Sequence, residues 1–75
     1  MKHNNFEFII GSPVEREKLI CEIYYKGEIL AEISQETDEL MLEIYPSQNQ
    51  KWWEIPLISF QNALEEAKKY LLKKD

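Results

Sequence analysis

The chain has 75 residues, of which 44% are hydrophobic and 31% charged, with a formal net charge of −5. This length allows a single domain, 1–75, near the lower size limit for folding without a disulfide or a metal. No apolar run approaches the roughly 18 residues of a membrane span, and residues 1–5 lack the apolar segment of a secretory signal. We therefore expect a cytoplasmic domain that does not engage a membrane.

The charge is distributed unevenly along the chain. Residues 1–67 hold five basic and thirteen acidic side chains, a net charge of −8, and four lysines follow among the last eight residues. An acidic body repels phosphate backbones and attracts basic proteins at long range. We expect no nucleic-acid partner. A basic protein partner fits this charge, and so does a solvated acidic surface that only keeps the domain soluble.

Apolar and polar residues alternate over residues 6–10, which predicts a first strand ended by Gly11-Ser12-Pro13. Two β-prone runs, 18–25 and 28–34, then flank Lys26-Gly27, a two-residue turn of the kind that favours a hairpin. The simplest register pairs Tyr24 with Ile29 and puts the core on the face of Ile20 and Tyr24. Glu22 would also lie on that face, so the register stays open there.

The second half of the chain predicts one or two more strands and a helix. An acidic turn at 35–39 precedes a fourth strand over 40–45, and after an exposed loop at 46–50, residues 51–55 form an extended segment, a candidate fifth strand. Pro56 suits the first turn of a helix, which apolar residues at three- and four-residue spacing extend to Leu71. The predicted fold is α+β: an antiparallel meander of four to five strands with one C-terminal helix packed on one face. The expected core is Phe8, Ile10, Ile20, Ile29, Ile33, Leu42, Ile44, Phe60, Leu64, Ala67 and Leu71.

The residue types needed for catalysis or cofactor binding are scarce. His3 is the only histidine and Cys21 the only cysteine, which excludes triads, internal disulfides and multi-histidine metal sites. Gly11 and Gly27 lie too far apart to cradle a phosphate together. We expect His3 to be an inert surface group, Cys21 to be buried, and the protein to be no enzyme and to hold no cofactor or metal.

Aromatic residues and carboxylates together suggest a protein-binding surface. Trp52 and Trp53 are adjacent, so in an extended segment only one can join the core, while the other is exposed or packs on the helix flank or under the 46–50 loop. Exposed aromatics ringed by charge are typical of interface hot spots. The predicted partner-binding residues are Tyr25, Glu28, Glu32, Glu36, Asp38, Glu39, Glu43, Tyr45, Trp52 and Trp53. The acids among them fit a solvated face without a partner equally well.

The segments 8–13, 19–28, 31–36, 56–57 and 63–69, which span nearly the whole chain, resemble small bacterial immunity proteins of polymorphic toxin and contact-dependent growth inhibition systems. The resemblance implies a protein that binds one cognate toxin, often a nuclease, and blocks it in the cytoplasm of the producing cell. It carries no catalytic motif and no toxin-contacting residue over to this chain. The alternative is a small homo-oligomeric structural or regulatory module that self-associates, as a homodimer for example, through an uncovered sheet face or a strand edge.

Overall fold

The computed structural model describes residues 2–74 and the side chains of residues 4–73. Within residues 2–74, one antiparallel sheet contains five strands in chain order, and a single helix follows: β1 (Lys2–His3), β2 (Phe6–Gly11), β3 (Ile20–Tyr25), β4 (Glu28–Ser34), β5 (Met41–Ile44) and α1 (Leu57–Lys74). The predicted α+β meander with one C-terminal helix is therefore confirmed. The side chain of His3 lies outside the described residues.

The fifth strand is at the N-terminus rather than at residues 51–55, so the prediction of a strand in that segment was wrong. The indole Nε1 of Trp53 donates a hydrogen bond of 2.6 Å to the carbonyl of Tyr45, at the end of β5. This bond pulls the segment back across the end of the sheet. The segment therefore leads directly into α1 instead of pairing beside β5.

The turn between β3 and β4 is the two-residue turn that the sequence predicts. Lys26 and Gly27 both have positive φ, at 50° and 84°, and Tyr25 faces Glu28 on either side of them. Two consecutive positive φ values match the right-handed twist of the flanking strands, and glycine adopts the second without a steric penalty. The Lys26 N–H also donates to the Asn5 carbonyl at 2.9 Å, which ties the hairpin to the β1–β2 turn.

A β-bulge in the hairpin overturns the predicted register beyond the turn. Tyr24 faces Ile29, as predicted, but Ile23 faces Ala31, so Leu30 is an extra residue in β4. One extra residue exchanges the two faces of everything that follows it. The bulge lets Leu30 and Ala31, although adjacent, both enter the core.

The core consequently lies on the sheet face opposite to the predicted one. The strand residues that α1 covers include Phe8, Cys21 and Ile23, whereas Ile20 is buried on the other face and Ile29 is only half-buried. The Cys21 thiol is fully buried, as expected, and burial raises its pKa to about 11. The buried cluster is formed by Phe6, Phe8, Cys21, Ile23, Leu30, Ala31, Ile33, Ala63, Ala67 and Leu71.

The helix packs mainly against β3 and β2, where the rings of Phe8 and Tyr70 lie 5.5 Å apart. Leu42 and Ile44 in β5 face the same side of the sheet as the helix but are 42% and 56% exposed. Their prediction as core residues was wrong because α1 does not extend over the last strand. In the described part of the chain no helix lies on the other face of the sheet, and we call that face the open face.

Candidate protein-binding surface

Three glutamates lie side by side across the middle of the open face. Glu22 of β3 faces Glu32 of β4, which in turn faces Glu43 of β5, and we call these three residues the carboxylate row. Like charges directly opposite each other on neighbouring strands destabilise a sheet. The row therefore depends on the groups that surround it.

Arg16, from the connection between β2 and β3, supplies the compensating charge. Its guanidinium Nη2 lies 3.0 Å from Glu32 Oε2 and 2.8 Å from Glu43 Oε1, so one cation bridges two members of the row. Glu32 is only 8% exposed, and a buried carboxylate requires such a partner. Partial burial lowers the pKa of Arg16, but the charges of Glu32 and Glu43 outweigh that effect and raise it overall.

Two tyrosines complete the hydrogen bonding of the row. The Tyr45 hydroxyl donates to Glu32 Oε1 at 3.0 Å, and the Tyr24 hydroxyl donates to Glu22 Oε1 at 3.3 Å. Burial, together with the bond to Glu32, raises the pKa of Tyr45 to about 12, and burial and Glu22 raise the pKa of Tyr24. Both phenols stay neutral donors at physiological pH. Three carboxylates against one guanidinium leave the row with a net negative charge.

One residue of the acidic turn between β4 and β5, Glu36, has a structural role. The carboxylate of Glu36 accepts the backbone N–H of Lys18 at 2.9 Å and that of Glu17 at 3.2 Å, and these bonds lower its pKa. Glu36 thus anchors the β2–β3 connection, which brings Arg16 to the row. Asp38 and Glu39 in the same turn are exposed. They are the two acids of this turn whose charges are available to a partner.

Aromatic side chains gather at the opposite end of the sheet. Trp52 is 64% exposed, whereas Trp53 is half-buried and packs against the core, so one tryptophan of the pair is internal, as expected. The Tyr25 ring packs against Phe6, tilted by 41° with the ring centroids 4.9 Å apart, instead of pointing away from the core. Tyr25 and both tryptophans line a cleft of about 310 Å³.

Glu28 forms one wall of this cleft and holds the loop that follows β5. Its carboxylate accepts hydrogen bonds from the Ser47 hydroxyl at 3.2 Å, the Asn49 amide at 2.9 Å and the backbone N–H of Gln48. A carboxylate with this many donors is committed to the loop. Glu28 therefore has a structural role, and a partner could contact it only from the rim of the cleft.

The ten predicted partner-binding residues form three groups along β4 and β5. Glu32, Glu43 and Tyr45 lie in the middle of the open face, with Glu36, Asp38 and Glu39 at one end of the strands and Tyr25, Glu28, Trp52 and Trp53 at the other. Seven residues of β4 separate the two ends, about 20 Å at the rise of a strand. The structure does not bring the ten into one compact patch, and their role in binding stays a prediction.

Sequence reasoning missed Arg16 and Tyr24 as members of this surface. Arg16 stands in the connection Val14–Glu17, which reads only as polar chain, and no local pattern points from it to Glu32, sixteen residues away. The one available signal was Glu22, whose place on the face first assigned to the core already indicated a register error. Once the bulge is taken into account, Tyr24 is also expected on the open face, next to Glu22.

Within residues 2–74, no helix has the length and apolarity that crossing a membrane requires. The described side chains include no cluster of three or more histidine, cysteine, aspartate or glutamate residues arranged to hold a metal ion. No protein-family model, curated protein sequence or solved structure matches this chain.

Proposed function

We propose that this chain is a non-catalytic binding protein that acts in the cytoplasm as an immunity protein, neutralising a basic toxin domain by direct contact. The observation that carries the proposal is the open face, where a carboxylate row with too little compensating charge lies beside tyrosines and no helix covers it. Such a face is suited to a partner that brings its own cations. The resemblance to immunity proteins supplies the class of that partner.

Electrostatics support a fast encounter between the two proteins. The net charge of −8 over residues 1–67 attracts a basic surface, and complementary charge accelerates association more than it strengthens the final complex. A nuclease toxin exposes basic residues because it must bind a polyanion. An acidic inhibitor therefore competes with the substrate of such a toxin by presenting similar charge.

In this proposal the exposed acids and the exposed aromatic side chain have different roles in binding. Of the four exposed carboxylates in the three groups, Glu36 is held by backbone N–H groups, which leaves Asp38, Glu39 and Glu43; Glu43 is still 55% accessible beside Arg16. Trp52 is the most exposed aromatic side chain of the ten, and burial of a tryptophan is a typical source of affinity. The acids would steer and orient the toxin, and Trp52 would anchor it.

Co-expression is the direct test of neutralisation, with the toxin domain that the proposal expects a neighbouring gene to encode. We expect cells that make this protein to survive the toxin and cells that lack it to die. Survival should fall when Trp52 is replaced by alanine, while the folded variant still accumulates. If the neighbouring toxin domain kills cells that contain the wild-type protein, the proposal is wrong.

Association kinetics test the role of the acids. Reversal of Asp38 and Glu39 to lysine should slow association with the toxin domain several-fold at low salt, and much less at high salt. Glu36 is left unchanged because it anchors the β2–β3 connection. The matched control reverses Glu65 and Glu66 on the helix, which changes net charge equally, away from the open face. Equal effects of the two reversals would remove the acidic turn from the interface.

A further inference from the structure

We propose that β5 is a dimerisation edge, at which a second copy of this chain pairs its own β5 antiparallel across a two-fold axis through Leu42. The two sheets would then form one continuous sheet with both helices on the same side. This inference does not rest on the proposed function, because it is argued from the backbone and side chains of the edge strand and requires no toxin.

The backbone of β5 offers unpaired groups to such a strand. Tyr45 donates its N–H to the Leu30 carbonyl at 2.8 Å, and the register places Glu43 and Met41 at the equivalent positions opposite β4. Backbone groups alternate in direction along an antiparallel strand. The N–H and C=O groups of Leu42 and Ile44 therefore face away from β4, and the described part of the chain provides them with no partner.

The same two residues carry the exposed apolar side chains of the strand. Leu42 and Ile44 both lie on the helix side of the sheet, where α1 leaves them 42% and 56% exposed. A groove of about 180 Å³, with Leu40 and Leu64 among its lining residues, adjoins Leu42 between β5 and the helix. An added strand would thus gain backbone hydrogen bonds and apolar burial at the same residues.

This edge lacks the features that usually prevent strand addition. Proteins protect exposed edges with lysine, proline, bulges or very short strands. β1 at the opposite edge is only two residues long, whereas β5 is longer, contains neither lysine nor proline, and pairs with β4 without a bulge. Glu43 is its one charged residue, and that side chain is on the open face in contact with Arg16.

The sequence of β5 is complementary to itself, which identifies the occupant as a second copy. Hydrogen bonding requires the outward-facing residues of the two strands to lie opposite each other. With Leu42 opposite Leu42 of the second copy, Leu40 faces Ile44 and Met41 faces Glu43. The neighbouring register, with Leu42 opposite Ile44, would set the two Glu43 carboxylates against each other. The first register therefore gives apolar contacts on the helix side and no opposed acids.

Molecular mass in solution is the first test. Sedimentation equilibrium of the wild type should show twice the monomer mass of 9.0 kDa as concentration rises. Leu42→Lys places two ammonium groups at the axis and should weaken the dimer at least about tenfold, equivalent to 1.4 kcal/mol. Leu72→Lys, at an exposed leucine on the helix, is the matched control and should leave the dimer unchanged. Circular dichroism checks that both variants fold.

Hydrogen exchange provides a residue-level readout in the wild-type protein. The amides of Leu42 and Ile44 should exchange rapidly in dilute solution and slowly at high concentration. Those of Met41, Glu43 and Tyr45 should be protected at both concentrations by β4. If the Leu42 and Ile44 amides exchange rapidly at every concentration, the inferred pairing is wrong.

The register has its own test at Met41, which faces Glu43 of the second copy. Met41→Lys should tighten the dimer and Met41→Glu should weaken it, both effects shrinking at high salt. Leu72→Lys controls for the change in net charge.

A wild type that stays monomeric up to about 1 mM, where even a weak complex forms, would overturn the proposal. If the wild type is monomeric and Leu42→Lys weakens toxin binding, the edge strand binds the toxin and not a second copy of this chain.

Discussion

At the scale of single residues, the open face shows how a sheet accommodates opposed like charges. Glu32 is the most buried member of the carboxylate row, and its two oxygens have different partners, Arg16 on Oε2 and Tyr45 on Oε1. Each oxygen has a donor, so the buried carboxylate is satisfied without a second cation. The sequence indicates none of this, because Arg16 lies 16 positions from Glu32 and Tyr45 lies 13 positions from it.

The hydroxyl of Tyr45 should contribute measurably to stability. Tyr45→Phe removes the donor to the buried oxygen of Glu32 and should lower the free energy of unfolding by about 1–2 kcal/mol. Tyr24→Phe is the control, because its bond to the less buried Glu22 is longer, at 3.3 Å, and we expect a smaller loss. Urea denaturation of both variants measures the difference. Equal losses would mean that burial of Glu32 does not increase the contribution of its hydrogen bond to stability.

Glu36 should make the β2–β3 connection sensitive to acid. The backbone N–H groups of Lys18 and Glu17 lower its pKa in the folded state, so its stabilising effect is complete above the unfolded pKa and is lost as pH falls through the folded one. Glu36→Gln should therefore destabilise the protein at pH 7 but not at low pH. Unfolding free energies at the two pH values provide the measurement, and Glu39→Gln is the control for the loss of one acid from the same turn.

At the scale of elements, the local sequence patterns predicted the hairpin turn and the helix correctly, but they did not predict the register beyond the β-bulge. The turn at Lys26-Gly27 and the helix after Pro56 follow from residue type and spacing, and both are present. The extra residue at Leu30 does not follow from them, because Ile29, Leu30 and Ala31 are all apolar and any of them could have been the insertion. One undetected residue was enough to assign the core to the wrong face.

Helical spacing alone also places Leu64 and Leu71 on one apolar stripe, but the structure separates them. Leu71 is fully buried, whereas Leu64 is half-buried beside the groove at β5. Leu71→Ala should therefore cost about 2–5 kcal/mol of unfolding free energy, and Leu64→Ala less than about 2 kcal/mol. Thermal or urea unfolding of the two variants decides this. A larger loss for Leu64 would mean that α1 lies further over β5 than described.

At the scale of the whole molecule, the helix covers one face of the sheet but not the other face or the β5 edge. The acidic charge of the body follows directly from composition, and so does the single small core. Where the acids lie relative to one another does not follow, because it depends on the register that the bulge sets. The helix also packs mainly on β3 and β2, and the pattern of apolar residues does not reveal which strand is left uncovered.

Cys21 gives this molecule a built-in reporter of its own opening. It is the only cysteine, it has no exposed surface, and its raised pKa keeps the thiol protonated. A thiol-modifying reagent can therefore reach it only when the helix leaves this face of the sheet or the sheet itself opens, so the labelling rate reports how often the core opens. Any ligand of the folded form slows that labelling by mass action. Candidate toxins could thus be screened on the unmodified protein, without a tag and without an assay of their activity.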